Sequence, residues 1–148
     1  MIRYCDTSFL APLLRGEASS QLIRPFLNAV PTGELALSHW TKLEMSSALA
    51  RDVRMGILSA VQATHLETSF AALVTNVFTV ITPEVVDFER AQRYIRRYET
   101  QLRAGDALHL AIAHNRNADE IYSLDKGLLA AGKLLGLPVS TGIALPGY

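Results

Sequence analysis

The chain has 148 residues, of which 49% are hydrophobic and 19% charged, and its 14 basic and 14 acidic side chains give a formal net charge of zero. This length and composition predict one globular domain, residues 1–148, and exclude a disordered chain. The balanced charge gives no overall signal for nucleic acid or membrane, and a single cysteine, Cys5, excludes an intrachain disulfide or a cysteine-based zinc site. Without a secretory pattern or a bilayer-length apolar stretch, we expect a soluble cytoplasmic protein that does not bind membranes.

Short β-rich runs alternate with helical patterns along the chain. The first half predicts strand, helix, helix, strand, helix and helix in the segments MIRYC, SFLAPLLRG, SSQLIRPFLNAV, ELALS, HWTKLEMSSALARDVR and SAVQATHLETSFAALVTN. The second half predicts strand, helix, helix, strand, helix and strand in VFTVIT, PEVVDFERAQRYIRRYET, AGDALHLAIAHNR, EIYSL, DKGLLAAGKLLG and PVST. Because strands separated by helices require crossover connections, we predict an α/β fold, a three-layer α/β/α sandwich with a central, mostly parallel sheet of four to five strands.

Four acidic residues stand at unusual places in this pattern. Asp6 directly follows the first predicted strand and Asp125 follows the fourth. The carboxyl ends of parallel strands border the crevice where ligands bind in such folds, so we expect both side chains there. Asp106 opens a very apolar helix, and Glu44 shares an apolar helical face with Trp40.

Helix capping is the simpler explanation for each acid taken alone. Three of the acids stand at predicted helix starts, and Thr41 with Glu44 matches a capping box. Capping does not explain why two acids fall at strand ends and two on inward faces. If the four meet, two charges about 5 Å apart repel by roughly 3 kcal/mol at an effective dielectric near 20. Either a proton or a divalent cation must then lie among them, and oxygen ligands favour Mg²⁺ or Mn²⁺ over zinc.

Four segments together resemble the PIN-domain ribonucleases, and closely resemble the VapC toxins of bacterial toxin–antitoxin pairs. They are YCDTSFL, TKLEMSSALAR, AGDALHLAIA and EIYSLDKGLL, which appear in the family's order and span nearly the whole chain. The resemblance implies a single PIN-like domain with an acidic catalytic site made of Asp6, Glu44, Asp106 and Asp125. It further implies that Mg²⁺ (or Mn²⁺) binds to three of these acids, Asp6, Asp106 and Asp125.

The implied activity is metal-dependent endoribonucleolytic hydrolysis of RNA by the toxin of a VapBC-type pair. One metal ion can activate water and polarise the phosphate, and Glu44 would complete the shell or orient the attacking water. Hydroxyl groups that fix the carboxylates are implied at Thr7, Ser8 and Ser123. The resemblance also implies a homodimer and a cognate VapB-like antitoxin that blocks the site.

Arginines cluster in the segment ERAQRYIRRYETQLR. Arg90, Arg93 and Arg97 share one helical face, with Tyr94 and Tyr98 interleaved. Arginine binds phosphate and tyrosine stacks on unpaired bases, so these arginines are candidate RNA contacts. The alternative is an ordinary solvated helix whose charges pair with acidic neighbours.

Two ring-bearing residues near the acids are predicted to be packing residues. His109 lies one turn after Asp106 and is within reach of the site, but it forms no histidine pair with metal-type spacing. Trp40, beside Glu44, is predicted to be core and not a platform for stacking bases.

Other functions remain open from the sequence. One is a stand-alone nuclease of the same fold with no antitoxin, and another is a non-catalytic α/β binding module whose acids are only helix caps. A phosphatase or a phospho-accepting receiver domain ranks lower. A receiver would need an acidic pair before its phospho-acceptor and a late lysine at a strand end, whereas Lys126 follows Asp125 at a helix start.

Overall fold

The computed structural model describes residues 1–148 and contains five strands and seven α-helices. The strands are β1 Arg3–Cys5, β2 Leu35–Ser38, β3 Thr79–Ile81, β4 Glu120–Tyr122 and β5 Val139–Ser140. The helices are α1 Thr7–Arg15, α2 Ser20–Ala29, α3 His39–Arg54, α4 Ala60–Val77, α5 Val85–Arg96, α6 Ala104–Asn115 and α7 Lys126–Leu134, with a 3₁₀ turn at Tyr98–Thr100. Every element predicted from the sequence is present in the predicted order.

All five strands pair in parallel, in the order β3-β2-β1-β4-β5. In the central strand, Tyr4 lies opposite Ala36 of β2 and Ile121 of β4. The chain builds the sheet outwards from β1 to β3 and then returns to the other side of β1 with β4. The strand order therefore reverses between β1 and β4, and the crevice at this switch point is the expected ligand site of the fold. The α/β prediction is confirmed, and the sheet is wholly parallel.

The two faces of the sheet carry separate hydrophobic cores. Cys5 of β1 packs with Phe9, Leu37 and Met45 on the side covered by α1 to α4. Its neighbour Tyr4 points to the opposite side, because side chains alternate along a strand. There it packs with Ile121 of β4 and with residues of the other helices, including Tyr94, Leu110 and Leu128. The result is the predicted three-layer sandwich. No helix combines the length and the apolar character needed to cross a membrane.

Three helices begin at the carboxyl edge of the sheet. The first turns of α1, α3 and α7 follow β1, β2 and β4 and are capped by Asp6, Ser38 and Asp125 respectively. Each cap side chain accepts a hydrogen bond from a backbone N–H of its own helix. Short connections after the strands therefore place the starts of these helices around one edge of the sheet.

Candidate active site

A polar pocket of about 390 Å³ opens at the carboxyl edge of the sheet, beside the switch point. Only two of its 13 lining residues are hydrophobic, so it suits a charged ligand better than an apolar one. Its lining includes the four acids singled out from the sequence: Asp6, Glu44, Asp106 and Asp125. Carboxylates that are far apart in sequence therefore meet around one hollow.

Asp6 is the most tightly held of the four acids. Its side chain is buried and accepts hydrogen bonds from the Phe9 N–H at 2.9 Å and the Ser123 hydroxyl at 2.7 Å. The Ser8 hydroxyl lies 2.8 and 3.0 Å from its two oxygens. Burial raises the pKa of Asp6, although the nearby His109 and these donors oppose the change. The carboxylate is thus fixed in one orientation by groups from α1 and from the end of β4.

Asp125 caps α7 and is linked to the same hydroxyl groups. Its Oδ1 accepts a hydrogen bond from the Leu128 N–H at 2.9 Å, and its own backbone N–H donates to Ser123 Oγ at 3.0 Å. The hydroxyls of Ser8 and Ser123 lie 3.1 Å apart. Two of the hydroxyl residues singled out from the sequence therefore connect the carboxylate of Asp6 to the backbone of Asp125.

Glu44 is held by side chains and caps no helix. Its Oε1 accepts a hydrogen bond from Thr7 Oγ1 at 2.7 Å and also contacts His109 Nε2. Burial alone would raise the pKa of Glu44, but the hydrogen bond and charge of His109, with the Thr7 hydroxyl, outweigh burial and lower it. The predicted capping box of Thr41 with Glu44 is wrong. α3 begins at His39, so Ser38 and Thr41 occupy the two box positions and Glu44 lies further along the helix.

Asp106 has no partner in the chain. It lies in the first turn of α6 but not at the cap position, and its carboxylate makes neither a hydrogen bond nor an ion pair. The capping explanation therefore fails for this acid as well. Burial and the negative charge of Asp125, with smaller contributions from Asp6 and Glu44, raise the pKa of Asp106 to about 6, although the charge of nearby His109 opposes the change. Because no side chain pairs with it directly, Asp106 is the acid that most needs a proton or an added cation.

Gly105 brings α6 close to α3 next to these acids. A Cβ atom at this position would lie 3.0 Å from Glu44 Oε2 and 3.5 Å from the Trp40 ring. The Trp40 ring N–H donates to the Gly105 carbonyl at 3.2 Å, and the ring packs against the core on the α6 side. Trp40 is therefore a packing residue, and the glycine permits the approach of Asp106 to Glu44.

His109 is a pocket residue whose contact the sequence did not establish. It is buried as predicted, yet its Nε2 contacts Glu44 and lies 3.3 Å from Thr7 Oγ1. On its other side, Nδ1 hydrogen-bonds to the Tyr4 hydroxyl at 2.8 Å, which also lies 3.0 Å from Ser38 Oγ. A buried chain of polar groups thus runs from β1 to Glu44. In the sequence, the only indication that His109 lies at the site was its position three residues after Asp106, which places both residues on one helical face.

Removal of the Tyr4 hydroxyl should destabilise the fold through this chain of polar groups. We expect Tyr4→Phe to lower the free energy of unfolding by about 1–3 kcal/mol, because His109 Nδ1 then loses its buried partner. The measurement is urea denaturation at neutral pH. Tyr98→Phe is the matched control, since Tyr98 is 82% exposed. Equal stability of the two variants would contradict this role for the hydroxyl.

The arginines that line the pocket are not those predicted from the sequence. Arg90 donates to Asn115 Oδ1 at 2.5 Å, Arg97 lies beyond the end of α5 and pairs with Glu99 at 3.0 Å, and Arg93 is exposed. None of these three arginines lines the pocket. The arginines that do so come from the C-terminal parts of α1 and α3: Arg15, Arg51 and Arg54.

The possible metal ligands of the pocket are hard oxygen donors, which suit Mg²⁺ or Mn²⁺. As the side chains lie, no three His, Cys, Asp or Glu residues are grouped closely enough to hold an ion. Asp6 and Asp125 each direct an oxygen to a backbone N–H, and Glu44 is held by Thr7 and His109. Close coordination of an ion would therefore require side chains to rotate. Asp106 can rotate most easily, because no hydrogen bond or ion pair holds its carboxylate.

Comparisons with known proteins address the fold. The PIN domain family model matches residues 3–134, and no curated protein matches the chain. VapC20 from Mycobacterium tuberculosis, described as a sarcin-ricin loop cleaving toxin, is 22% identical with a TM-score of 0.69, over 87% of this chain and 94% of that one. FitAcB from Neisseria gonorrhoeae is 18% identical with a TM-score of 0.72, over 96% and 98% of the two chains. VapBC-1 from nontypeable Haemophilus influenzae is 15% identical with a TM-score of 0.70, over the same shares.

Proposed function

This chain belongs to the PIN domain family, and on that premise we propose that it is a metal-dependent endoribonuclease that hydrolyses RNA phosphodiester bonds. The observation that carries the proposal is the meeting of four carboxylates in one polar pocket at the switch point of the sheet. RNA as the substrate is supported by the similar fold of VapC20, which is described as a sarcin-ricin loop cleaving toxin. A module whose acids serve only as caps is disfavoured, because neither Glu44 nor Asp106 caps a helix.

We propose that Asp6, Asp106 and Asp125 hold Mg²⁺ or Mn²⁺. Carboxylate oxygens are the ligands these ions prefer, and Asp106 has a raised pKa and makes no hydrogen bond or ion pair. A carboxylate has about four lone pairs, so neither the single bond to Asp125 nor the three donors to Asp6 exhaust the capacity of these acids as ligands. When bound, the cation would activate water and stabilise the negative charge of the phosphate.

The remaining residues of the site act by holding and orienting. The lowered pKa of Glu44 keeps this carboxylate ionised at neutral pH, where it can accept a hydrogen bond from the attacking water. Thr7 and His109 fix its position. The hydroxyls of Ser8 and Ser123 fix the orientation of Asp6, as outer partners of metal ligands commonly do.

We further propose that the chain is the toxin of a VapBC-type pair, with a VapB-like antitoxin as its partner and a homodimer as its assembly. Support comes from the similar folds of FitAcB, VapBC-1 and a toxin–antitoxin complex from Klebsiella pneumoniae. The runner-up is a stand-alone nuclease of the same fold. Two observations together would favour the toxin: expression of this chain arrests growth, and co-expression of a small DNA-binding protein encoded immediately upstream restores it. If expression of the chain alone leaves growth unaffected, the toxin role is contradicted.

The metal requirement is tested by two measurements on the unaltered protein. We expect Mg²⁺ or Mn²⁺ to raise the melting temperature, since an ion at 100 times its Kd stabilises the fold by about 2.7 kcal/mol. The same ions should support cleavage of end-labelled RNA on denaturing gels, and EDTA should abolish both effects. Cleavage that persists in EDTA, or a melting temperature that neither ion changes, would contradict the metal assignment.

A further inference from the structure

The acidic pocket extends as a groove between α1 and α3. From α1 it is lined by Ser8, Ala11 and Arg15, and from α3 by Glu44, Ser47, Ala48, Arg51 and Arg54. Residues three, four and seven positions apart share one face of a helix. Each helix therefore presents one continuous face to the groove, with the site residues at one end and arginines at the other.

Small side chains keep the middle of this groove open. Its only two hydrophobic lining residues are Ala11 of α1 and Ala48 of α3, and they lie with Ser47 between the acids and the arginines. Neither alanine is fully buried. A strand of RNA entering the acidic pocket would therefore meet no bulky side chain along α3 before it reached the arginines.

The groove ends at arginines that are free to bind an anion. Arg51 and Arg54 are exposed and form no ion pair, whereas Arg15 Nε pairs at 3.2 Å with the buried Asp52. At a rise of about 1.5 Å per residue, Arg51 lies roughly 10 Å and Arg54 roughly 15 Å along α3 from Glu44. The backbone of α3 thus carries two unpaired arginines at set distances from the acidic centre.

We propose that the groove between α1 and α3 binds the RNA strand on one side of the cleaved bond, with Arg51 and Arg54 contacting its phosphates. This inference rests on the proposed nuclease function. Guanidinium groups bind phosphates through paired N–H donors, and their positive charge offsets the repulsion between RNA and the acidic pocket. The groove, and not the arginine face of α5, then supplies the main phosphate contacts.

Two double variants, each of which removes two positive charges, test whether RNA binds to the groove or to the arginines of the α5 segment that the sequence predicted as RNA contacts. The test variant is Arg51→Gln with Arg54→Gln, and the matched control is Arg93→Gln with Arg97→Gln, which removes equal charge outside the pocket. Binding is measured by anisotropy of a fluorescein-labelled single-stranded RNA of mixed sequence, in EDTA, over a range of salt concentrations. Cleavage is measured separately as KM and kcat in Mn²⁺.

We expect the groove variant to weaken RNA binding about tenfold or more. The slope of log K against log salt should become shallower by about 1.4, near 0.7 for each lost phosphate contact. KM should rise with kcat little changed, and the α5 control should match the parent. Equal binding and equal salt slopes for the parent and the groove variant would overturn the inference, as would the loss of binding in the α5 control alone.

A steric variant provides a second test that leaves every charge in place. Ala48→Leu fills the middle of the groove, whereas Ala50→Leu adds the same volume at an exposed position of α3 outside the pocket. We expect Ala48→Leu alone to raise KM, and equal KM values would contradict a strand in this groove. The groove inference fails, and the nuclease proposal stands, if the parent cleaves RNA and every groove variant has the same KM and RNA affinity as the parent. The nuclease proposal fails, and the groove inference stands, if RNA binds through the groove but is not cleaved in Mg²⁺ or Mn²⁺.

Discussion

The Asp106→Asn variant is expected to lose RNA cleavage by about a hundredfold or more and, without metal, to be more stable than the parent. The loss follows from the proposed role of this carboxylate in holding the metal ion. The gain follows from its surroundings, because Asp106 makes no hydrogen bond and its charge is repelled by Asp125, Asp6 and Glu44. Asparagine keeps the shape of the side chain and removes only the charge.

The stability gain of Asp106→Asn should depend on pH in a defined direction. Without metal, the folded chain retains the proton of Asp106 up to about pH 6, whereas the unfolded chain releases it near the ordinary pKa of 3.8. Between these values the folded state binds more protons, so the contribution of Asp106 to the free energy of unfolding falls as pH rises. The advantage of the variant should therefore grow from about pH 4 to about pH 6 and stay constant above.

Urea denaturation in EDTA at pH values below, within and above this window measures the stability effect, and end-labelled RNA with Mn²⁺ measures the activity. Glu89→Gln is the matched control, since it removes an exposed carboxylate of α5 outside the pocket. The control should match the parent in both assays. An Asp106→Asn variant that cleaves RNA at the parent rate would refute the proposed role of this acid.

The fold was predictable because its signals are local. Alternating β-rich and helical segments, with the helices ended by glycines such as Gly16 (φ 64°), determine the order of the elements. A parallel sheet follows from that order. The parallel sheet also places Asp6 and Asp125 at its carboxyl edge, because Asp6 directly follows β1 and Asp125 lies three residues after the end of β4. These inferences need no knowledge of how one helix packs on another.

The wall of the pocket was not predictable because it depends on contacts between distant segments. Arg15 and Arg51 are 36 positions apart in the sequence and reach the same pocket only because α1 packs on α3. The arginine cluster of α5 was the more conspicuous pattern, yet α5 packs against α6 on the other face of the sheet. Similarly, the capping box at α3 was misplaced because its position depends on the single residue, Ser38, at which the strand gives way to the helix.

Asp6→Ala should lose both stability and activity, in contrast to Asp106→Asn. Asp6 accepts hydrogen bonds from the Phe9 N–H, Ser8 and Ser123, so its removal deprives α1 of its cap and leaves two hydroxyls without this acceptor. We expect the free energy of unfolding to fall by about 1–3 kcal/mol, with relief of the buried charge offsetting part of the loss. Metal-dependent cleavage should fall to background.

Asp125→Ala is the comparison that separates the two roles of these acids. Asp125 makes one cap bond, to the Leu128 N–H, so we expect a smaller loss of about 1 kcal/mol in urea denaturation with EDTA. If the acids only capped helices, stability in EDTA would increase in the order Asp6→Ala, Asp125→Ala, Asp106→Asn. RNA cleavage and the metal-induced rise in melting temperature would then be absent from the parent. If they also hold a metal ion, the same variants keep this stability order while all three lose the melting shift. Retention of that shift by Asp6→Ala would remove Asp6 from the metal site.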